Sequence, residues 1–294
     1  ALSGIAKDLN KMSAKSSIKT LVSGSTEESK HRQLFKWVAL LTGSKNTLKG
    51  CGFFLGGVLL TLVGFQYSVV IMASILAIIA CTSMALLSNN LGKAKNKPKF
   101  TQMFSKSATL NYFSAARLCL FAARDVWFVV ALPVYLANQF LWSHNQVGAF
   151  LAGWIIIYGL VQTMAPKLTG KSNQQAPTAM LMSNWAWALT LLTMILLGLL
   201  LLLDNAYVVP IGLLFFSVVF AMNSALHSYG IVAIAKQDGV SLDVGFYYMA
   251  NALGRLLGTV LSGVVFHFYG ITACLGFAVL LSALAAILVK KVTL

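Results

Sequence analysis

Three ionisable side chains sit where ionisable side chains are expensive. The stretch Asn111 to Gln139, NYFSAARLCLFAARDVWFVVALPVYLANQ, is mostly apolar and long enough to cross a bilayer, yet it holds Arg117, Arg124 and Asp125. A charge at the bilayer centre costs at least about 2.5 kcal/mol and marks a cavity, a partner or a pathway. Arginine offers a planar fork of donors that matches carboxylate and phosphate, so the chemistry in prospect is anion recognition. The two arginines are seven residues apart. On a helix they lie within roughly 20° of each other and about 10.5 Å apart along the axis. Arg124 then either grips an anion near mid-membrane or pairs with an acid on another helix. Arg117 either relays the anion towards one mouth or snorkels to the interface. Asp125 faces about 100° away from Arg124, which sets it off that arginine's face. It is either a counter-ion to an arginine or the carrier of a coupling proton.

A second set of polar residues lies inside other apolar runs. Arg255 has Asn251 one turn before it and Tyr248 almost two turns before it. That stripe either binds the same anion or braces neighbouring helices. His227 and Asn223 share a helix face, as do Tyr158 and Gln162. Histidine titrates near neutrality, so His227 is either a proton relay or a hydrogen-bonded interhelical residue. Lys45 and Lys49 flank the entry of the first span, where interfacial anchoring is the default. The sequence contains no phosphate-cradling GxxxxGK[ST] loop, no catalytic triad and no Cys/His metal spacing. Enzyme chemistry, a cofactor, a metal and ATP-driven transport are therefore not indicated.

The elements that must hold these residues follow from composition. The chain has 294 residues, is 58% hydrophobic and only 10% charged. A soluble domain carries about 25% charged residues, so the expected class is all-α, a polytopic membrane helix bundle. The net charge of +15 does not imply nucleic acid, because the bases are scattered between apolar spans and form no single face. Cys51, Cys81, Cys119 and Cys274 all fall in apolar runs and read as packing residues.

Eight spans are expected, over Gly50–Phe65, Tyr67–Ser88, Asn111–Gln139, Gln146–Ala165, Ala176–Leu203, Tyr207–Ala235, Asp243–Tyr269 and Gly270–Val289. Tight breaks fall at Gly64-Phe65-Gln66, Asp204-Asn205 and Gly270. Residues 1–49 are basic and amphipathic, with Lys7, Lys11, Lys15 and Lys19 at four-residue spacing, as in a helix lying on an anionic membrane surface. The loops alternate strictly. Those after Ser88, Ala165 and Ala235, and both ends of the chain, carry Lys or Arg; those at Gln66, Phe140–Asn145, Asp204 and Gly270 carry neither. By the positive-inside rule both ends are cytoplasmic in an inner (plasma) membrane. The longest loop, residues 89–110, leaves two spans before it and six after. That is the pattern of a twelve-span transporter made of repeated halves, with four spans preceding Ala1. The units are then 1–88, the basic loop 89–110, and a six-helix half, 111–294.

Three motifs carry a family resemblance. GSKNTLKGCGFFLGG (Gly43–Gly57), with close-packing positions at Gly50, Cys51, Gly52, Gly56 and Gly57, resembles the glycine-rich fifth helix of major facilitator antiporters. It lacks the usual proline. GAFLAGWIIIYGLVQTMAPKLTGK (Gly148–Lys171) resembles a weakened second-half facilitator loop motif without its Asp-Arg pair. NALGRLLGTVLSG (Asn251–Gly263), with Gly254, Gly258 and Ser262 four apart, resembles the eleventh facilitator helix. With ALSGIAKDLNKMSAKSSIK (Ala1–Lys19) and LFKWVALLTGSKNTLKGCGFFLGG (Leu34–Gly57), the whole chain resembles the organoarsenical efflux facilitators of the ArsJ type. That resemblance implies the major facilitator fold and proton antiport. It also implies efflux of 1-arseno-3-phosphoglycerate, made by a partner glyceraldehyde-3-phosphate dehydrogenase. Spacing alone reaches a facilitator for an anion, with drugs, sugars or other organic anions as alternative cargo.

Overall fold

The computed structural model describes residues 13–15, 17–19, 22, 27–86, 107–169, 177–203, 205–235 and 240–293. These form an all-α bundle, with no strand among the described residues. Its helices are α1 (Glu27–Leu86), α2 (Ala108–Phe128), α3 (Ala131–Phe140), α4 (His144–Leu168), α5 (Ala179–Leu203), α6 (Val208–Ile234) and α7 (Val240–Lys290). Six apolar rods, with α2 and α3 counted as one, are long enough to span a membrane. The chain is a multi-pass membrane protein. The stripe Lys7 and Lys11, the loop 89–106, Lys171 and Lys236 lie outside the described residues.

Two rods are too long for one crossing. α1 has 60 residues and α7 has 51, or about 90 and 75 Å at the usual rise. Each contains one glycine with non-helical backbone, Gly64 (φ 73°, ψ 176°) and Gly270 (φ 73°, ψ −172°). This region is essentially closed to residues with a Cβ. At Gly270 the chain reverses. Before it, Asn251 pairs with Arg117 and Ser262 with Ala131; after it, Ser282 pairs with Thr190, Ser183 with Ala286, and Thr293 with Thr109. The upstream arm thus runs parallel to α2, and the downstream arm runs antiparallel to α5. Both breaks fall where the sequence places them.

Two expectations fail. The Asn111–Gln139 run is not one helix. It stops at Phe128 and resumes at Ala131. Pro133 is the cause: it has no N–H, and its ring crowds the carbonyl four residues back, on Val129. The Ser262 hydroxyl accepts the freed Val130 and Ala131 N–H groups at 3.3 and 3.0 Å. The first span also begins far earlier than Gly50, because α1 is already helical at Glu27. Its polar first turns hide that extension from a hydropathy reading.

The buried apolar residues form two clusters, one per end. One gathers Leu34, Leu110, Ala165, Met182, Ala235, Val240 and Val289. These lie at helix ends beside the Lys- and Arg-bearing segments. The other gathers Leu136, Val147, Leu200, Val209 and Ile271, beside the base-free turns. The loops that alternate in charge therefore do alternate between ends. From Gly52 onward α1 is almost wholly exposed, an apolar surface of the kind lipid covers.

Candidate functional site

The charged residues of α2 and α7 meet because glycine lets the helices touch. A Cβ on Gly254 would strike the Leu118 carbonyl, and one on Gly258 would lie 2.8 Å from the Asp125 Cβ. With Ser262 capping the α2–α3 break, these three positions form the close-packing face their spacing predicts. The glycine-rich motif of α1 behaves differently. Gly50 packs against Ile156 and Ala152, and Gly43 against Thr163 and Gly159, but Gly52, Gly56 and Gly57 touch nothing within 4 Å, and Cys51 is exposed. Only the part of the motif facing α4 is used.

Asp125 is fully buried and holds two arginines. Its Oδ1 accepts from Arg124 Nε at 2.6 Å and its Oδ2 from Arg255 Nε at 3.1 Å. The expectation that Asp125 stands off Arg124's face is therefore wrong. Adjacent Cβ atoms do diverge by about 100°, but three methylenes let the Arg124 side chain fold back across that angle. The arrangement fits the counter-ion reading of Asp125. Arg124 keeps its terminal nitrogens without a hydrogen-bond partner among the described residues. Its guanidinium carbon lies 4.7, 5.1 and 5.9 Å from the ring centres of Phe121, Phe220 and Phe128. The Arg255 side chain is 52% exposed.

Arg117 does not snorkel. It is 5% exposed and buried inside the bundle. Its Nε donates to Asn251 Oδ1 at 2.9 Å. Its guanidinium lies 3.9 Å from the Phe121 ring centre and 5.3 Å from that of Tyr247. Asn251 is thus a positioning residue for Arg117. Tyr248 leaves the expected stripe: its ring faces Lys15 Nζ at 5.2 Å. The neighbouring Tyr247, which no spacing singles out, takes its place beside Arg117.

His227 is fully buried, and neither ring nitrogen has a hydrogen-bond partner among the described residues. The hydrogen-bonded interhelical reading does not hold there. The ring instead stacks on Phe113 at 4.7 Å. Asn223 makes the interhelical bond, donating to the Trp185 carbonyl at 2.8 Å. Tyr158 and Gln162 do pair, with Gln162 Nε2 donating to the Tyr158 hydroxyl at 3.1 Å. Asn46 of α1 extends the chain, donating to Gln162 Oε1 at 2.5 Å. Tyr158 stacks on Trp154 and Phe220, so this amide ladder runs from α1 to the aromatic wall around Arg124. Lys49 lies 5.8 Å from the Phe53 ring centre, near the head of α1's exposed stretch.

At the basic end, Lys19 caps α6. Its ammonium donates to the Val232 carbonyl at 2.7 Å and also to that of Ala235, meeting the negative end of the helix dipole. Burial pulls the Lys19 pKa below its ordinary value, and the charge of Asp243 opposes that shift.

Two helices thus bring two arginines, Arg124 and Arg255, to one carboxylate, with Arg117 about two turns away along α2. Chemically this is a site for anions, with one excess positive charge at Asp125 and a separate one at Arg117. No protein-family model matches the chain, and no curated protein matches it.

Proposed function

We propose that this protein is a secondary transporter of the major facilitator type that exports an organic anion. The observation that carries the reading is the buried charge balance. Arg117 and Arg124 stand inside the bundle, and a half-exposed Arg255 at its side, against one carboxylate, Asp125. Unbalanced positive charge in a bundle interior is costly and marks a path for negative cargo. The resemblance to the organoarsenical efflux facilitators supplies the cargo, 1-arseno-3-phosphoglycerate, and the partner, a glyceraldehyde-3-phosphate dehydrogenase. Arsenate resistance is the expected phenotype. The Lys-rich end faces the cytoplasm on the positive-inside rule, so the ester enters from there and leaves by alternating access. Asp125 serves as counter-ion, and the coupling proton belongs elsewhere.

The aromatic walls favour one rival. Phe121, Phe128, Phe220 and Tyr158 around Arg124 would also suit a flat drug, with the arginines structural. Everted membrane vesicles separate the two. Arseno-ester generated in situ by the dehydrogenase should accumulate in vesicles carrying the protein, and 3-phosphoglycerate should compete. Accumulation of neutral drugs that phosphoglycerate does not inhibit would sink the anion reading.

A further inference from the structure

The two positive centres are not in the same condition. Around Asp125 one carboxylate is shared by two guanidiniums: both its oxygens accept an N–H, and no atom of Arg124, Asp125 or Arg255 is buried without a partner. About seven residues towards the basic end, the opposite holds. Arg117 meets no carboxylate among the described residues. Its hydrogen bond is to a neutral amide, and its Nη1 is buried without a partner. Faces of Phe121 and Tyr247 offset part of a cation's burial, about 2 kcal/mol at best. They do not replace an anion, since a desolvated unpaired charge costs several kcal/mol.

Arg117 and His227 are joined through two shared aromatic rings. Phe113 stacks on His227 at 4.7 Å and on Tyr247 at 5.5 Å, and Tyr247 faces Arg117. Both His227 nitrogens lack partners, as do the hydroxyls of Ser114, beside Phe113, and Ser228, beside His227. Buried polar groups in native proteins are bonded as a rule, and each exception calls for a partner such as an ordered water, an ion or a ligand. In every protonation state imidazole offers at least one N–H, and each hydroxyl offers a donor. Asn223 Oδ1, one turn from His227, adds one acceptor without a partner; with the Arg117 fork the inventory is still mostly donors, so the fitting guest is rich in acceptors.

We infer that Arg117 and His227, walled by Phe113, Phe121 and Tyr247, are the primary seat for the oxyanion group of the cargo, and that the Asp125 cluster is its partly neutralised neighbour. This rests on the anion-transport reading and reverses the ranking that depth alone gives to Arg124. His227 is then a donor to the guest and not a proton carrier.

The test is calorimetric titration of the protein in lipid nanodiscs with inorganic phosphate and, separately, with 3-phosphoglycerate. Arg117→Gln should weaken both by at least about 30-fold, the loss of a charge-assisted fork. His227→Phe should weaken both by about 3- to 10-fold, one neutral hydrogen bond. Arg117→Lys guards against misfolding: it keeps the charge, loses the fork, and should bind about tenfold more weakly than the native protein. Ligand-free Arg117→Gln should melt no lower than the native protein, because it removes an unanswered charge. Weakening of organic but not inorganic phosphate would show that Arg117 meets the cargo's other groups and would overturn the oxyanion seat. Undiminished binding by Arg117→Gln, with loss in Arg124→Gln, would overturn the inference and leave the transporter reading intact. A native protein that binds neither probe would overturn both.

Discussion

Where α2 meets α7, glycine brings charge together; where α1 meets α4, glycine meets glycine. The first seam is keyed by discrete partners. Gly258 admits Asp125, Arg255 reaches across to it, and Ser262 caps the broken backbone at Val130 and Ala131. Shifting α7 by one residue would break all three together. The second seam is smooth and neutral. Gly43, Gly50 and Gly159 let backbones touch, and one amide pair, Asn46 with Gln162, bonds across it. Sliding there forfeits one net hydrogen bond, about 1 kcal/mol. The first seam fixes the geometry of the anion site. The second can shift at low cost, and its amide ladder ends on Tyr158, beside the site.

The contrast can be broken from the strong side first. Gly258→Leu should force α7 off α2 and part Arg255 from Asp125, with a loss on the order of 5 kcal/mol from overpacking and a broken ion pair. Folded protein should fall sharply in a detergent-extraction assay. Asp125→Asn should cost about 3–5 kcal/mol by leaving two arginines unanswered. A second change, Arg255→Gln, should recover part of it in a double-mutant cycle on melting temperature. Gly159→Leu should loosen α1 alone: hydrogen exchange should quicken over residues 42–50 and stay unchanged over 117–128. Gln162→Leu should cost about 1 kcal/mol, and equal losses for Gln162→Leu and Asp125→Asn would erase the contrast.

The smallest effect concerns Lys19. Its docked pKa lies below the ordinary 10.5. Between the lowered value and 10.5 the docked amine is neutral while the undocked one holds its proton. Docking therefore strengthens as pH rises through that window and levels off above it. Slower proteolysis of the upstream segment over that range would register it.

Much of the fold was legible because hydropathy and loop charge both report on membrane crossing. The breaks at Gly64 and Gly270, the span limits at Leu203, and the two-ended sorting of the loops follow from that. The early start of α1 was not legible, since its first turns are polar. Nor was the stop at Phe128, although Pro133 announces it to a reader who counts back four residues. In the site, sequence spacing brought out the arginines and Asp125 but mispaired them. Helical angles describe where a Cβ points, not how far an arginine folds back. Tyr247 stayed hidden among eighteen phenylalanines and nine tyrosines. Only the tertiary meeting of α2, α6 and α7 distinguishes it from Tyr248.

The reversal at Gly270 has a consequence for how the protein is made. Fifty-one residues leave the ribosome as one almost unbroken apolar stretch, with a single residue at its bend. The residues next to that bend, Phe268, Tyr269, Ile271 and Thr272, carry no formal charge to hold it on the far side of the membrane. The two arms must therefore enter the lipid as a folded pair. The bend offers no foothold on that face for a protease, a label or an antibody. A change of Gly270 to any residue with a side chain would act during synthesis, before the mature protein has a chance to be unstable.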